Sequence, residues 1–160
     1  AKAFAMTGWR IGYIGAPEWI AKACNKMQGQ ITSGANSIAQ RATIAALDAS
    51  PEKIKYMVDE FKKRRTIILR LLSKIQGVKT NIPEGSFYVF PDISSFFGKT
   101  IKNKKINDSN DFALLLLEKA HVATVAGEPF GNPNCIRISY AASIKDIERA
   151  IERIKNVLKE

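Results

Sequence analysis

The sequence predicts an α/β chain in two parts. Residues 1–50 read as the end of one domain, and residues 51–160 as a small α+β domain of order β-β-α-β-β-α entered through a long helix. Three observations predict this. Short β-rich runs bounded by turn residues recur after Gly77, among them residues 86–90 (SFYVF) and 135–140 (CIRISY). Ile144, Ile147, Ile151, Ile154 and Leu158 repeat at helical spacing and line one face. Between the two parts, residues 51–75 carry a stripe of Ile54, Met57, Val58, Phe61, Ile68, Leu72 and Ile75. A helix of that length would reach about 37 Å, long enough to link two domains.

Taken in order, residues 10–16 (RIGYIGA) are β-rich, close at Pro17 and read as a strand. Pro17 then opens a helix with Trp19, Ile20, Ala23 and Met27 on one face. Residues 28–36 hold two glycines and small polar residues, which predicts a loop. Residues 37–49 are alanine-rich and helical, and Ser50-Pro51-Glu52 is a capped start for the long helix. Gly77 ends that helix, residues 78–82 read as a strand, and Pro83-Glu84-Gly85 turns the chain into SFYVF. Residues 96–107, with Lys99, Lys102, Lys104 and Lys105, predict an exposed, mobile loop. Asp108 caps a helix that runs through Lys119. Residues 122–125 form a further strand, and a loop from Gly127 to Gly131 leads into CIRISY. Ser143-x-x-Asp146 is a capping box for the last helix.

Bulk properties exclude several classes. With 46% apolar and 25% charged residues in 160, the chain has ordinary globular usage and is not extended disorder. The longest apolar run, residues 112–117, falls far short of the roughly 20 residues of a membrane span. Lys2 and Arg10 bracket a stretch too polar for a signal peptide. Cys24, Cys135 and the single His121 supply neither a disulfide framework nor a closed zinc site. The expectation is a soluble, cytoplasmic, metal-free protein.

The net charge of +10 stands out. A basic surface suits nucleic acid, whose phosphates release counterions on binding. No aromatic residues interleave with the basic ones to stack bases, so that reading rests on charge alone. The favoured expectation is a piece of a longer protein whose other part carries balancing acids, with no nucleic-acid partner. The run Lys62-Lys63-Arg64-Arg65 is read as the solvated face of an amphipathic helix rather than an anion site.

Two motifs carry the chemistry. The first is residues 2–10 (KAFAMTGWR), running into Ile11-Gly12-Tyr13. The second is Gly127-Glu128-Pro129-Phe130-Gly131, followed by residues 135–141 (CIRISYA). A primary amine can bond covalently to an aldehyde, and a guanidinium offers a rigid bidentate fork to phosphate or carboxylate. Arg137 lies between Ile136 and Ile138 and therefore points to the opposite face of its strand, consistent with a polar cleft.

These strings resemble class I aminotransferases, most closely the bacterial aspartate aminotransferase type, over the whole chain. The resemblance implies the C-terminal part of the fold type I scaffold, with pyridoxal 5′-phosphate as cofactor. It implies that Lys2 bonds to the cofactor and carries protons, that Arg10 grips its phosphate, and that Arg137 binds the substrate α-carboxylate. Pro83-Glu84-Gly85-Ser86-Phe87-Tyr88 is similar to a turn and strand of the family, and residues 28–40 to a loop near its dimer interface. The family's glycine-rich phosphate loop, its aspartate at the pyridine nitrogen, and its tyrosine and asparagine at the cofactor oxygen have no counterpart here. Ala1 stands where the family usually has serine, which is read as a cut in the chain.

The implied activity is transfer of an amino group from an amino acid, aspartate by the resemblance, to 2-oxoglutarate within a homodimeric full-length enzyme. The 160 residues alone are expected to be inactive. A lyase or decarboxylase on the same scaffold would keep Lys2, Arg10 and Arg137. An aminotransferase-like sensor domain of a regulator is the non-enzymatic alternative.

Overall fold

The computed structural model describes residues 1–159. The chain divides into two compact units, Ala1–Val58 and Asp59–Glu160.

The first unit is helical. Residues 1–10 fold back on themselves: the Met6 N–H donates to the Ala1 carbonyl at 2.8 Å, and the Trp9 N–H to the Met6 carbonyl at 3.1 Å. Met6 is buried beneath this turn. The strand expected over residues 10–16 does not form; the segment is irregular, with Tyr13 82% exposed. β-rich composition needs a neighbouring ladder, and no strand of this unit offers one.

Pro17 caps helix α1 (Glu18–Ile31), which runs further than the loop expected from residue 28. The Gln28 side-chain amide donates to the Thr32 hydroxyl, and the Thr32 N–H donates back to the Gln28 carbonyl at 2.9 Å, closing the last turn. Helix α2 (Ser37–Leu47) is capped by Asn36, whose Oδ1 accepts from the Ala39 N–H at 3.1 Å. Trp19, Met27, Ile31 and Ile38 on these helices are all largely exposed. The long helix expected over residues 51–75 is shorter than predicted. Ser50 and Pro51 start a tight 3-10 turn (Pro51–Ile54), and helix α3 spans Lys55–Leu72.

In the second unit α3 buries Ile68 and Leu72. Gly77 stops the chain in the left-handed region at φ +89, where an added Cβ would sit 2.5 Å from Ser95 Oγ. Ser95 in turn donates to the Gly77 carbonyl at 2.6 Å. The basic run on α3 is solvated only in part. Arg64 pairs with Glu60 at 2.8 Å and Arg65 donates to the Pro83 carbonyl at 2.8 Å, which leaves Lys62 and Lys63 exposed.

The main sheet is antiparallel, built from β1 (Tyr88–Val89), β4 (Val125–Ala126) and β5 (Ile136–Ser139) in the order β1-β5-β4. Tyr88 pairs with Ser139, Val89 with Ile138, and Val125 with Arg137. Residues 78–82 contribute only the Lys79–Asp92 bridge rather than a strand.

The lysine-rich segment is not a mobile loop. It forms a hairpin of β2 (Thr100–Ile101) and β3 (Lys104–Lys105), turned by Lys102 and Asn103, both at positive φ. Ile106 is wholly buried, and hydrogen bonds from Gly98 to Ile106 (2.8 Å) and from Ile106 to Lys99 (2.9 Å) close the base. Its lysines mask an apolar anchor.

Asp108 caps helix α4 (Ser109–Leu115), accepting from the N–H groups of Asn110 and Asp111 at 2.9 and 2.8 Å. A wide π turn (Leu116–Ala120) follows, and His121 ends it in the left-handed region. Ser143 caps helix α5 (Ile144–Leu158), which buries Ile147, Ile151, Ile154 and Val157. That stripe, with Ile136 and Ile138 of β5, Leu115 at the end of α4 and Leu116 in the π turn, makes the core. Among the described residues no helix is long and apolar enough to cross a membrane, and no three His, Cys, Asp or Glu side chains cluster for a metal.

Candidate functional site

Lys2 and Arg10 belong to the first unit and Arg137 to the second. Lys2 opens the folded-back turn: its carbonyl accepts from the Ala5 N–H at 3.2 Å while its side chain stands in solvent. Among the described residues its ammonium makes no ion pair or hydrogen bond. Arg10 closes the same turn. It sits in the left-handed region at φ 51, and its Nη1 donates to the Thr7 carbonyl at 3.0 Å. Among the described residues no acceptor meets Nη2 or Nε. Arg10 also borders an open depression with Ala5, Gly8, Trp9, Asn36 and Ile38. A Cβ added to Gly8 would meet nothing within 4 Å, so the backbone there is approachable. Met6, at the middle of the turn, is buried, while both cations stand exposed at its ends.

Arg137 is half-buried on the face of β5 opposite buried Ile136 and Ile138, as strand alternation requires. Its guanidinium lies over two aromatic rings, with Cζ 4.4 Å from the Tyr88 centroid and 4.1 Å from that of Phe130. Among the described residues no carboxylate or carbonyl pairs with it. Tyr88 faces Ser139 across β1 and β5, so it is the diagonal neighbour of Arg137 on the same sheet face. Phe130 ends a 3-10 turn (Glu128–Phe130) and meets Phe90 edge-on at 6.4 Å and 89°.

The two rings escape sequence reasoning. Tyr88 needs the strand register to be placed beside Arg137. Phe130 stands in a string whose likeness to a family loop says nothing of where its ring goes.

Residues 1–154 match the family of class I and II aminotransferases, and the chain belongs to that family. It is 48% identical over 162 aligned residues to the bifunctional aspartate aminotransferase and glutamate/aspartate-prephenate aminotransferase of Petunia hybrida, covering 99% of this chain and 34% of that relative. The crystal structure of the aspartate aminotransferase from Rhizobium meliloti superimposes with a TM-score of 0.89 at 41% identity, over 97% of this chain and 39% of that one. The aspartate aminotransferase from Thermus thermophilus with maleate gives 0.85 at 38% identity, over 99% and 39%. The chain therefore spans between a third and two fifths of the length of these relatives. Its mixed α/β architecture is the one aminotransferases have.

Proposed function

We propose that this chain is the C-terminal portion of an aminotransferase that uses pyridoxal 5′-phosphate to move an amino group from an amino acid to a 2-oxo acid. Aspartate and 2-oxoglutarate are the pair proposed, since the relatives are named aspartate aminotransferases. The observation that carries the reading is Arg137, a half-buried cation with no protein counter-charge among the described residues. Such a group is balanced best by a ligand carboxylate.

The donor set fits the cofactor. Lys2 is an accessible primary amine with no competing carboxylate, and Arg10 keeps N–H donors free beside an approachable backbone at Gly8. When bound, pyridoxal phosphate supplies an aldehyde that holds an amine covalently and a ring that draws electron density from the substrate α-carbon. Lys2 Nζ would hold the cofactor, and as a free amine it would take the proton from the substrate α-carbon. Arg10 would hold the phosphate through charge-assisted N–H···O bonds. Arg137 would bind the substrate α-carboxylate through its N–H donors.

The 160 residues alone supply only part of a cofactor site, so no turnover is expected of them by themselves. The full-length protein is proposed to act as a cytoplasmic homodimer. Its thiols support a reducing compartment, since Cys24 and Cys135 are both free.

Replacing Lys2 by Ala in the full-length protein tests the assignment. Transamination and the visible absorbance of bound cofactor should both disappear. A borohydride-reducible cofactor adduct retained in the Lys2→Ala protein would refute it.

A further inference from the structure

We propose that Tyr88 and Phe130 form an aromatic clasp that positions the Arg137 guanidinium for a carboxylate ligand, a role that rests on the reading of Arg137 given above. Arginine has a long, flexible side chain, and a bidentate contact requires its plane to be fixed before the ligand arrives. Proteins often fix such a plane with a carboxylate, but that partner would occupy the N–H donors the ligand needs. Aromatic faces attract the cation without engaging donors in its plane. With Cζ at 4.4 and 4.1 Å from the two centroids and no acid among the described residues paired with it, Arg137 is held while its fork stays open.

Both rings are themselves held in place, as a positioning role requires. Tyr88 is fixed by β1 pairing with β5 and meets the Phe87 ring at 4.4 Å, tilted by 43°. Phe130 arrives from a turn with two special glycines. A Cβ on Gly127 would sit 2.3 Å from the Asn132 carbonyl oxygen and 2.4 Å from that of Cys135, and Gly131 adopts φ +83. The turn is therefore built to bring one ring to one arginine, and Phe90 braces that ring from its edge. This gives the Gly127–Gly131 string a physical purpose without phosphate binding.

The test is kinetic, in the full-length enzyme loaded with cofactor. Phe130→Leu and Tyr88→Leu should each raise KM for the amino acid about three- to tenfold, the size of one cation–π contact, with kcat within about a factor of two. Maleate, a non-reacting dicarboxylate, should lose affinity in the same proportion. Phe130→Tyr and Tyr88→Phe, which keep a ring face, should restore both values. Phe130 is 45% exposed, so its replacement leaves the core intact, and an unchanged melting temperature verifies this.

Unchanged KM and maleate affinity in both leucine variants would overturn the clasp. So would equal losses in the ring-keeping variants, which would show a purely structural role. Arg137→Lys, measured in parallel, separates the two layers. Raised KM with cofactor retained keeps the reading of Arg137 and leaves the clasp to be judged by the ring variants. Unchanged KM with cofactor lost overturns both.

Discussion

Tyr140 donates its phenolic O–H to the carbonyl of Ser86 at 2.9 Å, joining residues 54 positions apart. Ser86 stands just before β1 and Tyr140 just after β5, so the bond ties together the ends of the paired strands that carry Tyr88 and Arg137. The Tyr140 N–H adds a second tie, to the Phe87 carbonyl at 2.9 Å.

Tyr140→Phe keeps the ring and deletes only this donor. It should destabilise the protein by about 1 kcal/mol, the usual net worth of one such bond, measured by urea denaturation. Burial also pushes the Tyr140 hydroxyl above the ordinary phenol range, with Arg65 partly opposing. A raised pKa in the folded state means the unfolded chain ionises first. Stability is therefore complete below about pH 10 and falls as pH rises above it. In Tyr140→Phe this alkaline loss should shrink; an identical alkaline limb would contradict it.

Asp92 behaves in the opposite sense. Its Oδ1 accepts from the Ser94 hydroxyl at 2.7 Å and from the Ser94 N–H at 2.8 Å. These bonds hold its carboxyl below the ordinary range; burial opposes them and Lys79 assists. A depressed pKa gives stability that is present above about pH 4 and is lost as pH falls through the folded value. Asp92→Asn should flatten the acid limb of a melting-temperature profile, leaving the difference from wild type smallest at the lowest pH.

Ile151 lies at the centre of the α5 stripe and is 4% exposed. Ile151→Ala should cost about 2–5 kcal/mol, as expected for truncating a packed core residue. Ser143→Ala, which removes the hydroxyl that accepts from the Asp146 N–H at 3.1 Å, should cost about 1 kcal/mol. Equal losses for the two would mean that the cap matters as much to this helix as its buried stripe.

At the hairpin tip Lys102 and Asn103 both adopt left-handed backbone, at φ 48 and 65. Replacing them with Asn and Gly, the pair preferred in such turns, should stabilise the protein by about 1 kcal/mol in thermal unfolding. No gain would mean that the turn contributes nothing cooperative.

Legibility followed the range of the forces involved. The α5 stripe and the Ser143 cap depend on residues three and four apart, so sequence alone revealed them. The Lys2 to Arg10 string pointed to the family because it is a contiguous motif, and the family match over residues 1–154 agrees with that. The hairpin was hidden because its lysines dominate the composition, while its fold is decided by Ile101 and by a single buried residue, Ile106. Residues 10–16 misled for the converse reason: their composition suits a strand, and pairing is not a local property. Tyr88 beside Arg137 required the register of β1 on β5, which only long-range pairing sets.

The uncovered side chains of the first unit also set how this chain behaves as a colloid. Tyr13, Trp19, Ile31 and Ile38 are each at least 70% exposed, while a net charge of +10 keeps molecules apart. That repulsion reaches about 30 Å at 0.01 M salt but only about 8 Å at 0.15 M. Attraction between greasy surfaces is not screened in this way. Solutions of the chain should therefore be clearest in dilute buffer and turn cloudy as sodium chloride is added, the reverse of the salting-in common for proteins near neutrality.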